Sequence, residues 1–319
     1  MGDNPGRSST AFIVVNPAAG RVDAALVEEL VVLCRPYVTE LSISWTHERG
    51  DAATLAADAA TRQFDVVIAV GGDGTVREMV QGLLSVGAGA DLPSLLIVPG
   101  GTGNSNYLAQ WGSLGWPVAV TAALTGSGSC RCLLDLARLV ELDILVLLGA
   151  CSGLIAQALV TAKSVSTAGR ERYRIALAQA ATEFVPYPGR VLVDGVVVHS
   201  GKTILANVGG GRHRGGTYEL LPRSVLDDGL LDVCVIDDHV NAIDVPGLTL
   251  SGAHVGKPGV TYARGRRITV ERTDGEPLRY EHDGELGGDT SARFTMDVIP
   301  RALPVLCRSD MAALNDLRL

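Results

Sequence analysis

Three glycine-rich segments hold the residues of this sequence best suited to chemistry on phosphate. They are Asn16-Pro17-Ala18-Ala19-Gly20, Gly71-Gly72-Asp73-Gly74-Thr75 and Pro99-Gly100-Gly101-Thr102-Gly103-Asn104. Because glycine lacks a Cβ, its backbone N–H groups can approach a polyanion closely. A helix that begins at Thr75 would add the partial positive charge of its N-terminus. The three segments together predict a phosphate-binding site.

Asp73 interrupts the second segment with a negative charge. A carboxylate cannot bind a phosphate directly, so Asp73 predicts either an intervening Mg²⁺ or a role in orienting a nucleophile. Each segment taken alone could be a tight structural turn, because glycine marks turns in general. The sequence has neither the Gly-Lys-Ser/Thr of a Walker loop nor Gly-x-Gly-x-x-Gly, so hydride transfer lacks its usual fingerprint.

The elements around these segments predict a parallel sheet. Strands are predicted over Ala11–Val15, Leu41–Trp45, Phe64–Val70 and Ser94–Val98, and helices over Val22–Arg35, Asp51–Arg62, with Asp51 as N-cap, and Thr75–Val86. This β-α-β-α-β order is typical of a doubly wound sheet with right-handed crossovers. All three glycine segments follow strands, and ligands of such sheets bind at the carboxyl ends of the strands.

The character of the chain changes near Gly126–Ser129. Two helices are predicted, over Ile155–Lys163 and Arg170–Phe184, and strands dominate the rest. Asp194-Gly195 between two β-branched runs is the strongest hairpin signal in the chain. Strands in series without regular helices favour an antiparallel sandwich.

Bulk composition excludes several classes of protein. Hydrophobic residues make up 47% of the 319 residues, which indicates a folded chain. The formal net charge of -8 argues against a duplex nucleic-acid partner. The apolar stretch Ile144–Ala162 approaches the length of a spanning helix, but Gly149 and Gly153 interrupt it, so we favour a buried strand, a turn and a short helix.

The six cysteines do not show the spacing of a zinc site. Cys130 and Cys132 are separated by one residue, which is too sparse for a cluster of four ligands. Buried thiols in a reducing cytosol are the expected state.

Asn-Pro-x-x-Gly, Gly-Gly-Asp-Gly-Thr and Pro-x-Gly-Thr-x-Asn, in this order, resemble the diacylglycerol kinase and sphingosine kinase family, and most closely its soluble bacterial lipid kinases. The second half is also similar, in Ala206-Asn207, Gly209-Gly210-Gly211, Leu221-Pro222 and Asp227–Asp232. The resemblance implies a Rossmann-like α/β nucleotide-binding domain, as in NAD kinases and diacylglycerol kinases, plus an all-β sandwich domain. The domains would be residues 10–129, which bind ATP, and 130–300, the lipid-kinase sandwich, with ATP in the cleft between them. Residues 301–319 would pack back on the first domain.

The same resemblance implies an ATP-dependent, Mg²⁺-dependent kinase acting on a hydroxyl of diacylglycerol or a related lipid alcohol. The implied ATP contacts are Asn16, Pro17, Ala18, Ala19, Gly20, Thr46, Gly72, Asp73, Gly74, Thr75, Val76, Arg77, Glu78 and Thr102, with Asp73 also catalytic. The implied Mg²⁺ ligands are Asp228 and the main-chain oxygens of Val225 and Leu230. The general base would be the glutamate of an Asp-Gly-Glu motif.

Asp-Gly-Glu occurs twice, ending at Glu276 and at Glu285. We choose Glu285, since it lies nearer the terminal strand, as in the family. Glu276 precedes Pro277 and is typical of a hairpin turn. A carboxylate within hydrogen-bond reach can accept the proton that a lipid hydroxyl loses as it attacks the γ-phosphorus. Glu276 remains the alternative base.

Three residues differ from the family pattern: Ala19 replaces a usual serine, Arg77 a usual asparagine, and Ser105 a frequent acidic residue. These differences leave the backbone donors intact but bring metal affinity and turnover into question. Ile155, at a position that is often acidic in relatives, adds to that question. An NAD or other small-molecule kinase, or a non-catalytic nucleotide-binding protein, remains an alternative.

We expect a cytoplasmic protein that contacts its lipid substrate at a membrane surface peripherally and reversibly, and a homodimer stays open. The segment Gly209–Gly216, which contains Arg212, His213 and Arg214, is expected either to bind a phosphate or headgroup or to be a mobile basic loop.

Overall fold

The computed structural model describes residues 9–167, 169–214, 217–287 and 290–310. The chain divides into two compact units. The first comprises residues up to Leu134 together with those from Arg301 onward, and the second is Asp135–Pro300. Of the predicted terminal segment 301–319, residues 311–319 lie outside the described residues.

The first unit is a parallel sheet with helices. Its elements are β1 Ser9–Val15, α1 Ala24–Cys34, β2 Val38–Trp45, α2 Asp51–Thr61, β3 Val66–Gly71, α3 Asp73–Val86, β4 Ser94–Pro99, α4 Ser105–Trp111 and α5 Trp116–Thr125. The strands are all parallel, in the order β4-β3-β1-β2. Every residue of β3 is buried, as expected for a central strand covered on both faces. The predicted α/β nucleotide-binding fold is confirmed.

Close packing between α2 and α3 explains the alanine-rich sequence of α2. A Cβ on Gly82 would lie 2.0 Å from the carbonyl oxygen of Ala53, so only glycine fits there. The predicted N-cap of α2 is wrong by one residue: Gly50 occupies that position, with φ +96°. The carboxylate of Asp51 accepts hydrogen bonds from the amides of His47 (2.7 Å) and Glu48 (3.0 Å), which lower its pKa.

The second unit is mainly antiparallel. Its elements are β6 Ile144–Val146, β7 Ala150–Gly153, α6 Leu154–Thr161, α7 Gly169–Glu183, β8 Tyr187–Val193, β9 Val196–Gly209, β10 His213–Arg214, β11 Tyr218–Glu219, β12 Leu231–Asp237, α8 Val245–Thr249, β13 Val260–Gly265, β14 Arg267–Arg272, β15 Tyr280–His282 and β16 Glu285–Leu286, with short 3₁₀ turns at Ala162–Ser164 and Ala242–Asp244. Two longer strands, β5 Ser129–Leu139 and β17 Arg293–Arg308, pair with each other and run from one unit into the other.

The strands of the second unit follow the order β16-β15-β7-β9-β8-β14-β17, and β12 joins β9 to β13. One core includes Tyr280 and Phe294, whose ring centroids lie 4.9 Å apart. A second core lies beneath α6 and α7 and contains Leu205 of β9, while its neighbour Ala206 belongs to the first. This alternation along β9 follows from the two-residue period of a strand. The predicted sandwich is confirmed.

The Asp194-Gly195 hairpin forms as predicted. Asp194 and Gly195 have φ of 48° and 83°, and Val193 pairs with Val196. Two positive φ values are the requirement of a type I′ turn. The apolar stretch 144–162 forms β6, β7 and α6. Among the described residues, no helix has the length and apolar character that crossing a bilayer requires.

Candidate active site

The three glycine segments of the first unit are joined to one another by hydrogen bonds. Asn16 Nδ2 donates to Thr75 Oγ1 (2.8 Å), which joins the side chains of the first and second segments. Arg21 N, directly after the first segment, donates to Gly100 O (3.0 Å) of the third. Gly100 N donates to Gly71 O (2.7 Å), which joins the second to the third. The three segments therefore form one continuous surface at the carboxyl ends of β1, β3 and β4.

Asn16 shapes the first segment. Its backbone N–H donates to Val70 O (2.9 Å), and its Oδ1 accepts from Ala18 N (3.0 Å), so the turn folds back on its own side chain. Pro17, Ala18 and Gly20 are exposed. The turn is therefore accessible to a ligand.

Glycine is required where the second and third segments meet. A Cβ on Gly101 would lie 2.6 Å from the Cα of Gly72, and one on Gly71 would lie 2.5 Å from Thr75 Oγ1. Gly72 is the N-cap of α3 and offers no side-chain bond to the helix. The first amides of this 14-residue helix point outward at an end that favours negative charge.

Asp73 ties the second segment to α4, a function that sequence reasoning missed. Its Oδ2 accepts from Ser105 N (3.0 Å), and its Oδ1 accepts from Asn106 N (3.0 Å) and Asn106 Nδ2 (2.9 Å). The residue that departs from the family pattern, Ser105, takes part through its backbone amide alone in these bonds. Asp73 thus has a positioning function that is independent of any metal.

Asn104 closes the third segment. It has φ +54°, is 8% exposed, and bonds Gly101 twice, through Oδ1 to the amide (2.9 Å) and through Nδ2 to the carbonyl (2.8 Å). Asparagine tolerates this left-handed conformation better than most residues. Thr102, at the tip, is exposed.

The remaining predicted nucleotide contacts lie along β2 and α3. Thr46 is 8% exposed, and its amide bonds Val15 O (2.9 Å). Glu78 Oε2 accepts from Gly50 N (3.0 Å), so its carboxylate stabilises the loop before α2. Val76 is 1% exposed, and its amide bonds Gly72 O within α3. Val76 therefore packs in the core.

In the second unit, the loop that contains the predicted metal ligands is held by Asp135. Asp135 Oδ2 accepts from Gly229 N (2.5 Å), and Asp135 N donates to Leu226 O (2.7 Å). Gly229 has φ +74°, which a side chain would disfavour. Val225, Asp228 and Leu230 all belong to this loop.

Asp228 pairs with Arg264 through its Oδ2, and its Oδ1 accepts from Leu230 N (3.0 Å). Arg264 Nε also lies 3.6 Å from Oδ1 of Asp232, a fully buried residue whose pKa burial raises to about 6. Carboxylate and main-chain oxygens are the donors that Mg²⁺ prefers, so the loop fits that ion by donor type. Arg264 is the residue that competes for Asp228.

The Asp-Gly-Glu motif at Glu285 forms a tight hairpin between β15 and β16. Asp283 and Gly284 have φ of 46° and 84°. The carboxylate of Asp283 accepts from the amides of Leu147 (2.9 Å) and Leu148 (2.8 Å). The turn is fixed by its aspartate, and Glu285 itself is exposed. That exposure makes its carboxylate accessible to a substrate.

A buried pair supports the same hairpin. Glu281 is 3% exposed, and its Oε2 accepts from Gly284 N (2.9 Å). Burial raises the pKa of Glu281 to about 7, although the nearby Arg214 guanidinium, 4.0 Å away, acts in the opposite direction. Arg214 also donates from Nε to Asn207 Oδ1 (2.9 Å). The side chain of Arg214 is therefore enclosed.

The segment Gly209–Gly216 was predicted either to bind a phosphate or headgroup or to be a mobile basic loop. Within it, Arg214 is 4% exposed and its guanidinium is turned toward Asn207 and Glu281. Arg212 Nε donates to Ser224 O (3.1 Å). Residues 215 and 216 of the predicted cluster lie outside the described residues. No local signal reveals this pairing, because Arg214 and Glu281 are far apart in sequence.

The other Asp-Gly-Glu motif, which ends at Glu276, is held differently. Asp274 pairs with Arg272 (2.7 Å) and accepts from Glu276 N (3.2 Å), all near the surface. The predicted hairpin turn is wrong, because the flanking strands β14 and β15 pair with other strands. The motif is a surface bend. Among the described residues, the Asp274 carboxylate bonds Arg272 and Glu276, which are near it in sequence, whereas that of Asp283 bonds a distant segment.

Family models match both halves of the chain. The diacylglycerol kinase catalytic domain matches residues 10–128, and the YegS C-terminal NAD kinase beta sandwich-like domain matches residues 150–307. A crystallised diacylglycerol kinase from Bacillus anthracis superposes with a TM-score of 0.68 at 21% identity, covering 95% of this chain and 98% of that one, and so shares the fold.

Curated relatives extend over almost the whole chain. The "Probable lipid kinase YegS-like" of Pseudomonas fluorescens is 32% identical over 292 residues, which covers 88% of this chain and 89% of the relative. The diacylglycerol kinase of Bacillus subtilis is 27% identical over 292 residues, which covers 89% and 92%. This chain therefore belongs to the diacylglycerol kinase family.

Proposed function

We propose that the protein transfers the γ-phosphoryl group of ATP to a hydroxyl of diacylglycerol or a related lipid alcohol. The observation that carries this proposal is the hydrogen-bonded junction of the three glycine segments at the strand ends of a parallel sheet. The names of the relatives supply the substrate class. Peripheral contact with a membrane surface, and a homodimer, belong to the same proposal.

In the first unit, the N-terminus of α3 and the amides of the exposed Gly20 and Thr102 bind the phosphates. The amides of Ala18, Gly100 and Gly101 instead hold the segments together. The exposed Thr102 adds a hydroxyl donor. Asn16 and Asp73 keep the segments in place, so little reorganisation is needed when the nucleotide arrives. Such preorganised donors stabilise the charge that develops during phosphoryl transfer.

Glu285 is the proposed general base. The lipid hydroxyl gives its proton to the Glu285 carboxylate as its oxygen forms a bond to the γ-phosphorus. The bond from that phosphorus to the β–γ bridging oxygen breaks, and ADP leaves with the electron pair. The support for Glu285 over Glu276 is its position in a hairpin anchored by Asp283 and Glu281, whereas Glu276 lies in a surface bend.

Mg²⁺ is proposed to bind the loop of Asp228, with the main-chain oxygens of Val225 and Leu230. A bound Mg²⁺ would supply positive charge that fixes this loop. Arg264 would have to release Asp228, and the buried Asp232 offers that guanidinium a second partner.

The experiment is a phosphorylation assay with labelled ATP against three acceptors: a lipid extract, NAD and fructose 6-phosphate. We expect label in the lipid fraction alone on thin-layer separation. Exclusive labelling of NAD would instead identify a small-molecule kinase. Nucleotide binding without transfer to any acceptor would identify a non-catalytic protein.

Asp73→Asn tests the first unit in the same assay. We expect the loss of most activity. Because the new amide would place an N–H group against the three N–H donors of Ser105 and Asn106, circular dichroism must show that the fold is retained. Near-normal activity would remove Asp73 from the proposed site.

A further inference from the structure

Three cysteine sulfurs meet in the first unit. Cys130 and Cys132 are two positions apart on β5, so their side chains lie on the same face of the strand. Cys307 lies near the end of β17, which pairs with β5. The Sγ atoms are 3.3 Å apart for Cys130 and Cys132, 3.7 Å for Cys130 and Cys307, and 2.9 Å for Cys132 and Cys307. The third sulfur comes from 175 residues further along the chain, which local spacing cannot show.

These distances are close to those of a metal-thiolate cluster. A Zn–S bond is about 2.3 Å, so two sulfurs on one tetrahedral ion lie about 3.8 Å apart. A disulfide requires about 2.05 Å and joins two sulfurs. The Cys130–Cys307 distance of 3.7 Å already matches two sulfurs bound to one tetrahedral ion. The other two sulfur–sulfur distances would have to increase by less than about 1 Å to match it. A single ion can contact all three sulfurs, whereas a disulfide excludes one.

The neighbouring cation on β5 is held by other partners. Arg131 occupies the position between the two β5 cysteines, and its guanidinium bonds Ser94 Oγ (2.8 Å) and Ala90 O (2.6 Å). Side chains at successive strand positions point to opposite faces. The positive charge of Arg131 is therefore directed away from the sulfurs.

Access is provided from one side. Cys307 is 5% exposed, and Cys130 and Cys132 are half-buried. Cys130 lines a cavity of about 810 Å³. Arg131, Ser94 and Ala90 line the same cavity, and of the three cysteines it exposes Cys130.

We propose that Cys130, Cys132 and Cys307 form a three-thiolate site for a soft, thiophilic cation, with Zn²⁺ as its representative. Each thiol releases a proton as its sulfur bonds the ion. Water takes the fourth position, as in open zinc sites with three protein ligands. The ion would join β5 to β17 and stabilise the folded protein. Nothing in this site depends on the proposed kinase activity.

The test is Zn²⁺ binding by the whole reduced protein, measured by competition with a chromophoric chelator. We expect one equivalent of tightly bound Zn²⁺ and a higher melting temperature in its presence. Cys132→Ser should lower the affinity by more than the roughly 10–100-fold that loss of an outer-shell partner costs. Cys34→Ser, at a buried thiol of α1 outside the cluster, is the matched control and should bind like the wild type.

A second measurement keeps the test independent of folding. Cys130→Ser changes a half-buried residue, and circular dichroism reports its fold. Cobalt binding to the wild type should give a thiolate-to-metal charge-transfer band that Cys130→Ser weakens. The proposal fails if reduced wild-type protein takes up no Zn²⁺, or if Cys132→Ser and Cys130→Ser, both folded, bind it as tightly as Cys34→Ser does. It also fails if thiol titration finds a Cys132–Cys307 disulfide and the reduced protein ignores zinc.

Discussion

The two units hold their functional loops by different physical means. In the first, the glycine segments meet one another through backbone: Gly100 N donates to Gly71 O, and Gly101 leaves no room for a Cβ beside Gly72. The carboxylate of Asp73 is an added anchor there, which bonds the amides of α4. In the second, carboxylates hold backbone. Asp135, Asp283 and Glu281 each accept amide hydrogen bonds from a loop.

This difference decides what each unit tolerates. A backbone junction has no titratable group, so it is insensitive to pH but intolerant of any added side chain. A carboxylate anchor accepts changes of shape around it, but removal of the carboxylate leaves between one and three amides without that acceptor. The following predictions test that contrast, beginning with the largest expected effect.

Glu285→Gln should lower turnover by about 10²–10⁴-fold, the usual contribution of a general base. Glu276→Gln is the matched control, since it changes the same residue type in the same motif at the surface bend. The measurement is kcat for lipid phosphorylation, with nucleotide affinity measured in parallel. Equal activities of the two variants would refute the choice of Glu285, and loss only in Glu276→Gln would transfer the role to that residue.

Gly101→Ala should abolish most nucleotide binding and cost about 1–3 kcal/mol of unfolding free energy, since its Cβ would overlap the backbone of Gly72. Gly20→Ala is the control, because a Cβ there meets nothing within 4 Å. Urea unfolding and titration with a fluorescent ATP analogue provide the readouts. If Gly101→Ala binds like Gly20→Ala, the backbone junction is not needed for the nucleotide.

Asp283→Ala should destabilise the protein by about 1–3 kcal/mol, because the amides of Leu147 and Leu148 lose their acceptor. Activity should fall as well, through misplacement of Glu285. Asp274→Ala removes the aspartate of the surface bend and should change stability little. Urea unfolding of both variants makes the comparison, and equal destabilisation would contradict it.

Glu281→Gln should flatten the pH dependence of stability. The pKa of Glu281 is raised by burial from 4.5 to about 7, so the folded state binds the proton more tightly than the unfolded state. Its contribution is therefore full below about pH 4.5 and is lost as the pH rises through about 7. The buried Asp232 acts in the same direction.

The measurement is urea unfolding of wild type and Glu281→Gln at pH 5 and pH 8. The wild type should lose more stability between these values than the variant does. Parallel curves would show that Glu281 is ionised in the folded protein over this range.

Arg264→Gln should have the smallest effect of these variants. We expect added Mg²⁺ to raise the melting temperature of Arg264→Gln more than it raises that of the wild type. The guanidinium no longer competes for Asp228, and ligand binding to the folded state stabilises it. Arg267→Gln, which breaks the Arg267–Asp297 ion pair (3.0 Å), is the control. Unchanged Mg²⁺ responses in both variants would argue against a metal at Asp228.

The same contrast explains what sequence alone could predict. The glycine segments and the Asp194-Gly195 hairpin were predicted because the need for glycine or for a positive φ is visible in a few consecutive residues. The Arg214–Glu281 pair and the contact of Cys307 with Cys132 were missed, because such partners meet only when distant strands pair. A functional role was predicted for Asp73, but its hydrogen bonds to α4 were not. The sequence around an aspartate does not indicate which distant amides its carboxylate will bond.

The pairing of β17 with β4 affects how the protein folds during its synthesis. Val305 pairs with Leu95 of β4, and Gly89 N donates to Ala302 O (2.8 Å). A sheet begun by the earliest part of the chain is therefore finished by residues that leave the ribosome some two hundred positions later. Until β17 has been synthesised, one edge of β4 has no paired strand, and an exposed strand edge of this kind can pair with the wrong segment or chain. Removal of residues 301–310 should therefore harm the nucleotide-binding unit, although they lie far from its motifs in the sequence.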